Sequence, residues 1–125
     1  MSIQGLNKSA DILFVNPPSA FDVYRSTKVE VFRQIFPLLS FMSLSATLKE
    51  NGFKTAMLDL GIEERSYEEL DKVLRELRPK FIGITSTTPL FSEAVEIARI
   101  SREILGNSVK IIYGGPHATA LTEEC

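Results

Sequence analysis

The sequence predicts a doubly wound α/β domain built on a parallel sheet, and three observations carry that expectation. Four short apolar runs recur along the chain: Ile12-Leu13-Phe14-Val15, Thr55-Ala56-Met57-Leu58, Phe81-Ile82-Gly83-Ile84 and Val109-Lys110-Ile111-Ile112-Tyr113. They are mostly continuous rather than alternating, the pattern of strands covered on both faces. Segments of helical spacing separate them, and strand–helix–strand alternation this regular implies right-handed βαβ units.

The elements follow in order. The first run is strongly strand-forming; the second is the least so, because Ala and Met are poor strand formers. Between them, residues 38–51 place Leu44 and Leu48 on one stripe with Phe41 a turn before, and Asn51-Gly52 supplies a stop. In the next helix Leu70, Val73, Leu74 and Leu77 follow i, i+3, i+4, i+7 spacing. Ser66 three residues before Glu69 reads as a capping box, and Pro79 ends the segment. Residues 89–105 repeat the pattern with Ala94, Ile97, Ala98, Ile104 and Leu105; Thr88 suits the N-cap, Pro89 the first helical position and Gly106 the C-terminal cap. Residues 118–125 read as the start of a fourth helix.

Folds of this type usually carry a fifth strand, so the chain reads as a fragment of a larger protein. Residues 1–10 read as a flexible N-terminal segment and 11–125 as the domain. At 44% hydrophobic and 24% charged, the composition is ordinary for a globular domain large enough to bury a core. The net charge of −2 and the lack of a basic cluster argue against a nucleic-acid partner. The single cysteine, Cys125, excludes an internal disulfide framework and a cysteine-rich metal site. No apolar stretch approaches the ~20 residues of a membrane span, and no signal peptide is present, so a soluble, cytoplasmic protein is expected. The connection 17–37 is far longer than the usual ~2–6 residues and holds Phe21, Tyr24, Phe32 and Phe36. It reads either as a loop tucking aromatics against the domain or a neighbouring one, or as a lid over a ligand.

Ligands of open α/β sheets bind outside the carboxyl ends of the strands. After the first strand, Asn16-Pro17-Pro18 makes a stiff, extended exit that could be steering alone. After the second, Asp59 suits either a ligand hydrogen bond or a turn cap. After the third stand Thr85, Ser86, Thr87 and Thr88. Capping needs only Thr88, so Thr85, Ser86 and Thr87 are surplus to it, and at least one of them is expected to serve a ligand. After the fourth, Gly114 and Gly115 let the backbone approach a flat ligand or merely permit a tight turn. Pro116 and His117 follow. His117 is the only histidine, and it reads as a hydrogen-bonded structural residue or as a ligand or acid–base group. No second histidine or cysteine completes a zinc site, and no nucleophile–base–orienter set is visible. The acids, as in Glu63-Glu64 and Glu68-Glu69, lie mainly on solvated helix faces.

The run Ile12 to Pro18, the segment Leu44 through Phe53, and Gly114-Gly115-Pro116-His117-Ala118-Thr119, with Thr85 to Thr88 between, together resemble a known family. It is the N-terminal cobalamin-binding domain of cobalamin-dependent radical S-adenosylmethionine enzymes, and most nearly the branch containing the anaerobic magnesium-protoporphyrin monomethyl ester cyclase. The likeness covers residues 11–124. It implies a flavodoxin-like, Rossmann-like sheet of order 2-1-3-4, with a fifth strand beyond the chain, holding cobalamin over its carboxyl edge. By resemblance the cofactor's nucleotide tail would enter between the first and third strands, with Asn16 and Pro17 as one wall. Thr85, Ser86 and Thr87 would offer hydrogen bonds, Gly114 and Gly115 a close approach, and Pro116 and His117 a border to the ring. The parent enzyme would carry a [4Fe-4S] cluster and S-adenosylmethionine on a separate barrel, the domain's partner, leaving this chain without turnover alone. One departure stands out. Methionine-synthase-type domains place a histidine on cobalt from Asp-x-His-x-x-Gly, whereas Asn16-Pro17-Pro18-Ser19-Ala20-Phe21 has none. Three other readings compete: a receiver-type module, which Asn16 in place of a carboxylate disfavours; a flavin carrier, which would want its hydroxyls after the first strand; and a docking domain without cofactor.

Overall fold

The computed structural model describes residues 9–18, 38–61 and 67–124. Ser66 of the expected capping box, Glu63-Glu64, residues 19–37 of the long connection and Cys125 lie outside the described residues. Within them the chain alternates β1 (Ile12–Asn16), α1 (Leu39–Glu50), β2 (Thr55–Asp59), α2 (Tyr67–Leu77), β3 (Phe81–Thr85), α3 (Phe91–Leu105), β4 (Lys110–Gly114) and α4 (Pro116–Ala120). All strand pairs are parallel, and the order β2-β1-β3-β4 is that of a flavodoxin-like sheet. Register aligns Val15 with Leu58 and Ile84, and Phe14 with Met57 and Gly83.

Strand alternation divides these residues between two unequal faces. Leu13, Val15, Leu58, Ile82 and Ile84 pack against Leu70, Val73, Leu74 and Leu77 of α2 and Ala94 and Ile97 of α3. Ten of those eleven side chains are less than 2% exposed, and at roughly 1.5–3 kcal/mol for each large one, this face supplies the main driving force for folding. The periodicity of α2 is met in full. A polar contact between the two helices comes from Tyr67, whose hydroxyl donates to Glu93 of α3; burial first, then that carboxylate, pushes the phenol's pKa up.

Among the described residues the opposite face is only half covered. There α1 sets Phe41 on Phe14 with ring centroids 5.0 Å apart, and the hydroxyls of Ser45 and Thr55 share a hydrogen bond. Beyond Phe14 the sheet lies open: Ile112 is 51% exposed and Phe81 39%. The expectation of strands covered on both faces therefore holds for β1 and fails for β4.

Other boundaries and stripes differ from the sequence reading for identifiable reasons. In α1 the inward positions are Phe41 and Ser45, and Leu44 is 52% exposed. Leucines at 44 and 48 share one side of a helix, but its angle is set by the Phe41–Phe14 stack and the Ser45–Thr55 bond. Thr88 caps no helix. It begins a 3-10 turn, Thr88–Leu90, and α3 starts only at Phe91. The fourth helix begins at Pro116, two residues before the expected point, because proline's fixed φ suits the first helical position. The stops fall as expected: Gly52 and Gly106 take φ of +85° and +79° after α1 and α3. Among the described residues no helix is long and apolar enough to cross a membrane.

Candidate functional site

Parallel register brings the ends of all four strands to one edge, with Asn16 opposite Asp59 and Thr85 opposite Gly114. At this edge, on the half-covered face, lies a cleft of about 170 Å3. Gly83, Ile112 and Gly114 form its floor, Phe14, Phe41 and Leu44 one wall, and Thr85 and Gly115 its upper rim. Gly83 is small for a local reason. A Cβ there would stand 2.8 Å from the Phe14 ring, so glycine lets that ring lie across the sheet and meet Phe41.

The two glycines at the end of β4 do different jobs. Gly115 has φ +92° and ψ −176°, a region that side-chain-bearing residues essentially avoid. Its missing Cβ would also sit 2.6 Å from Thr85 Oγ1 and 3.1 Å from the Ser86 carbonyl oxygen. Close packing of two loops, with no ligand involved, explains it. Gly114 has no positive φ, and a Cβ there would meet nothing within 4 Å. It opens onto the cleft, and local structure alone gives no reason for a glycine there.

The hydroxyl run is likewise divided. Thr85 lies at the rim and Thr87 is exposed, whereas Ser86 is buried at 3% exposure with its Oγ lacking a partner among the described residues. Its backbone is fully engaged: Ser86 N–H donates to the Gly114 carbonyl, and its own carbonyl accepts from His117 N–H, both at 3.2 Å. Thr88, the residue assigned to capping, instead meets His117 Nδ1 through its hydroxyl at 3.1 Å. His117 is buried against the Phe91 ring, and its Nε2 has no partner among the described residues.

Across the edge, Asn16 turns toward β2. Its amide donates to Asp59 Oδ1 at 2.9 Å, and the same oxygen accepts from Gly61 N–H. Asp59 thereby serves as a turn cap, and Pro17 is fully buried beside it. The structure thus gathers Thr85, Ser86, Thr87, Gly114, Gly115, Pro116 and His117 on the β3–β4 side, and sets Asn16 and Pro17 in a separate clip on the β2 side. Sequence reading missed the cleft's apolar lining, namely Phe14, Phe41, Leu44, Gly83 and Ile112. One signal for it was present: a glycine inside an apolar strand marks a close approach. Among the described residues no three His, Cys, Asp or Glu side chains converge as metal ligands would.

The floor left open at Gly114 and the apolar walls, with Thr85 at the rim, fit a flat, largely apolar group with a polar edge. An apolar cavity of about 150 Å3 accepts a benzene-sized ring, so the cleft admits one planar limb of a larger molecule. The sequence pattern of the B12 binding domain matches residues 26–125. The chain is 28% identical over 116 residues to an uncharacterized methyltransferase of Pyrococcus horikoshii, covering 93% of this chain and 24% of that protein. It is 30% identical over 109 residues to the anaerobic magnesium-protoporphyrin IX monomethyl ester cyclase of Cereibacter sphaeroides, covering 86% of this chain and 17% of the cyclase. The radical S-adenosylmethionine methyltransferase TsrM of Kitasatospora setae superposes with a TM-score of 0.66 at 20% identity, over 89% of this chain and 20% of that one, a likeness of fold. The chain therefore spans about a quarter or less of the length of these relatives.

Proposed function

The chain belongs to the B12-binding domain family, and we propose that its carboxyl-edge cleft receives one limb of a cobalamin on behalf of a radical S-adenosylmethionine enzyme. The observation that carries this reading is the Gly114 floor, a position with ordinary backbone and empty space where a side chain would close the cleft.

In this reading Gly114 lets a flat group lie against the end of β4. Phe14, Phe41, Leu44 and Ile112 exclude water from its faces. The Thr85 hydroxyl at the rim takes a polar atom of the ligand, and Ser86, buried behind it, holds the rim to β4 through its backbone. Thr87 stands exposed one residue beyond the Ser86 anchor, Gly115 and Pro116 shape the turn above the rim, and the Asn16–Asp59 clip with Pro17 holds the far side of the edge. Cobalamin, when bound, supplies a cobalt centre that can carry an alkyl group or accept electrons. The chain's own residues bind and orient it. A [4Fe-4S] cluster and S-adenosylmethionine belong, in this proposal, to a partner barrel such as the relatives' names indicate.

The test is a titration of hydroxocobalamin into the chain, followed by visible absorption and calorimetry. One saturable site is expected, with Gly114→Leu weakening binding at least tenfold while leaving the melting temperature of the free chain intact. FMN titrated in parallel gives no saturation. A chain that binds no cobalamin, or a Gly114→Leu variant that binds as tightly as the parent, overturns the reading.

A further inference from the structure

We propose that His117 is a positioning residue: a buried latch, held as its Nδ1–H tautomer, that locks the Ser86–Thr88 loop to the Gly114–Gly115 turn and makes the two rims of the cleft one rigid lip.

Four contacts converge on this junction. Ser86 N–H reaches the Gly114 carbonyl and His117 N–H reaches the Ser86 carbonyl, each at 3.2 Å, toward the long end of the hydrogen-bond range. Gly115 abuts Thr85 and the Ser86 backbone so closely that no Cβ fits. The fourth contact joins side chains, His117 Nδ1 to Thr88 Oγ1 at 3.1 Å. Thr88 is exposed and could give its hydroxyl to water, so a bond to a buried ring ties the outer end of the loop to the interior. The ring itself cannot swing away. It is 4% exposed and lies 4.2 Å from Phe91, centroid to centroid, with the planes 30° apart.

The tautomer follows from the other nitrogen. Nε2 is buried and has no partner among the described residues. A proton on Nε2 would leave a buried N–H with nowhere to donate, the rarer kind of orphan. A proton on Nδ1 is instead donated to Thr88 and leaves Nε2 a bare lone pair. His117 thus needs no contact with a ligand to influence one. The part of the proposal that concerns cobalamin rests on the function proposed above; the part that concerns the lip does not.

Both parts are separately readable in the full chain. Nitrogen-15 NMR of the imidazole should find the proton on Nδ1. Thr88→Val removes the hydroxyl at an exposed site and so preserves the fold. Amide exchange at Ser86 and His117 should quicken about fivefold, the worth of one neutral hydrogen bond, while Val15 and Ile84 exchange as before. His117→Phe keeps the packing on Phe91, and the double variant should exchange no faster than either single one. Cobalamin affinity should fall by a similar factor in each. Unchanged exchange in Thr88→Val, a proton on Nε2, or quickened exchange with undiminished cobalamin affinity overturns the proposal. A parent chain that binds no cobalamin sinks the functional reading instead, and the exchange measurements still decide the latch.

Discussion

Three glycines, each replaced by alanine, make a graded test of the site's geometry. At Gly115 two costs add. Its φ of +92° with ψ −176° lies where alanine is strained by about 1–3 kcal/mol. The new methyl would also press on Thr85 Oγ1 at 2.6 Å and on Ser86 backbone atoms at 3.1 and 3.2 Å. The backbone atoms cannot rotate aside as a side chain would, so overpacking contributes a further ~1–3 kcal/mol. Restricting the unfolded chain returns ~0.4–1 kcal/mol, for a net destabilisation of about 3 kcal/mol. Gly106, at φ +79° and ψ −166°, carries the backbone cost with no neighbour within 4 Å, and about 1 kcal/mol remains. Gly114 carries neither, so Gly114→Ala should be neutral or stabilising by up to ~0.5 kcal/mol. For a domain of this size about 4 °C accompanies each kcal/mol, so thermal melts should show losses near 12 °C, 4 °C and nothing. Urea titrations with a common slope give the free energies directly. Equal losses at Gly114 and Gly115 would refute the claim that one glycine serves the turn and the other the cleft.

Other expectations follow from the same structure. Leu74→Ala, at a fully buried position, should cost about 2–5 kcal/mol, and Leu44→Ala, on the half-exposed cleft wall, well under that; a large loss at Leu44 in a urea melt would restore it to the core. Gly83→Ala should destabilise by about 1–3 kcal/mol through the Phe14 ring, and Phe14→Leu in the same chain should recover part of it if the ring contact is the cause. The raised pKa of Tyr67 fixes a sign. The folded chain holds the phenol proton more tightly, so this contribution is whole below the ordinary tyrosine value near pH 10 and is lost as the pH climbs through the raised one. Tyr67→Phe should show a shallower fall in stability above pH 10, and parallel curves would contradict the half-buried Tyr67–Glu93 bond.

The fold was legible where periodicity is a local property. The i, i+3, i+4, i+7 leucines and valine of α2 could face only one core, and all four strands lie where continuous apolar runs placed them. What escaped depends on register. Nothing in Leu39–Glu50 says that Ser45, rather than Leu44, faces inward; that is decided by Thr55 and Phe14, on two other strands. The candidate site divides in the same way. Residue types at strand ends marked Ser86 and the glycine pair, but only the approach of Gly115 to Thr85 separates a glycine used by the turn from one that faces the cleft. Thr88 looked like a cap because capping is a rule of sequence neighbours, while its actual partner, His117, lies 29 residues on.

The half-covered sheet has a consequence for how this chain can change. Along β3 and β4, alternate side chains answer to different demands: Ile82, Ile84 and Tyr113 to the α2–α3 core, Phe81, Gly83, Ile112 and Gly114 to the open face. Substitutions at sites without shared partners add rather than couple. Ile112, half in solvent, can therefore drift among side chains with little loss of stability, and Ile84 cannot. Two populations of positions interleave in one strand, one held fixed by folding and one free to be selected for whatever the cleft receives. Sequence diversity among chains of this fold should accordingly alternate residue by residue along β4.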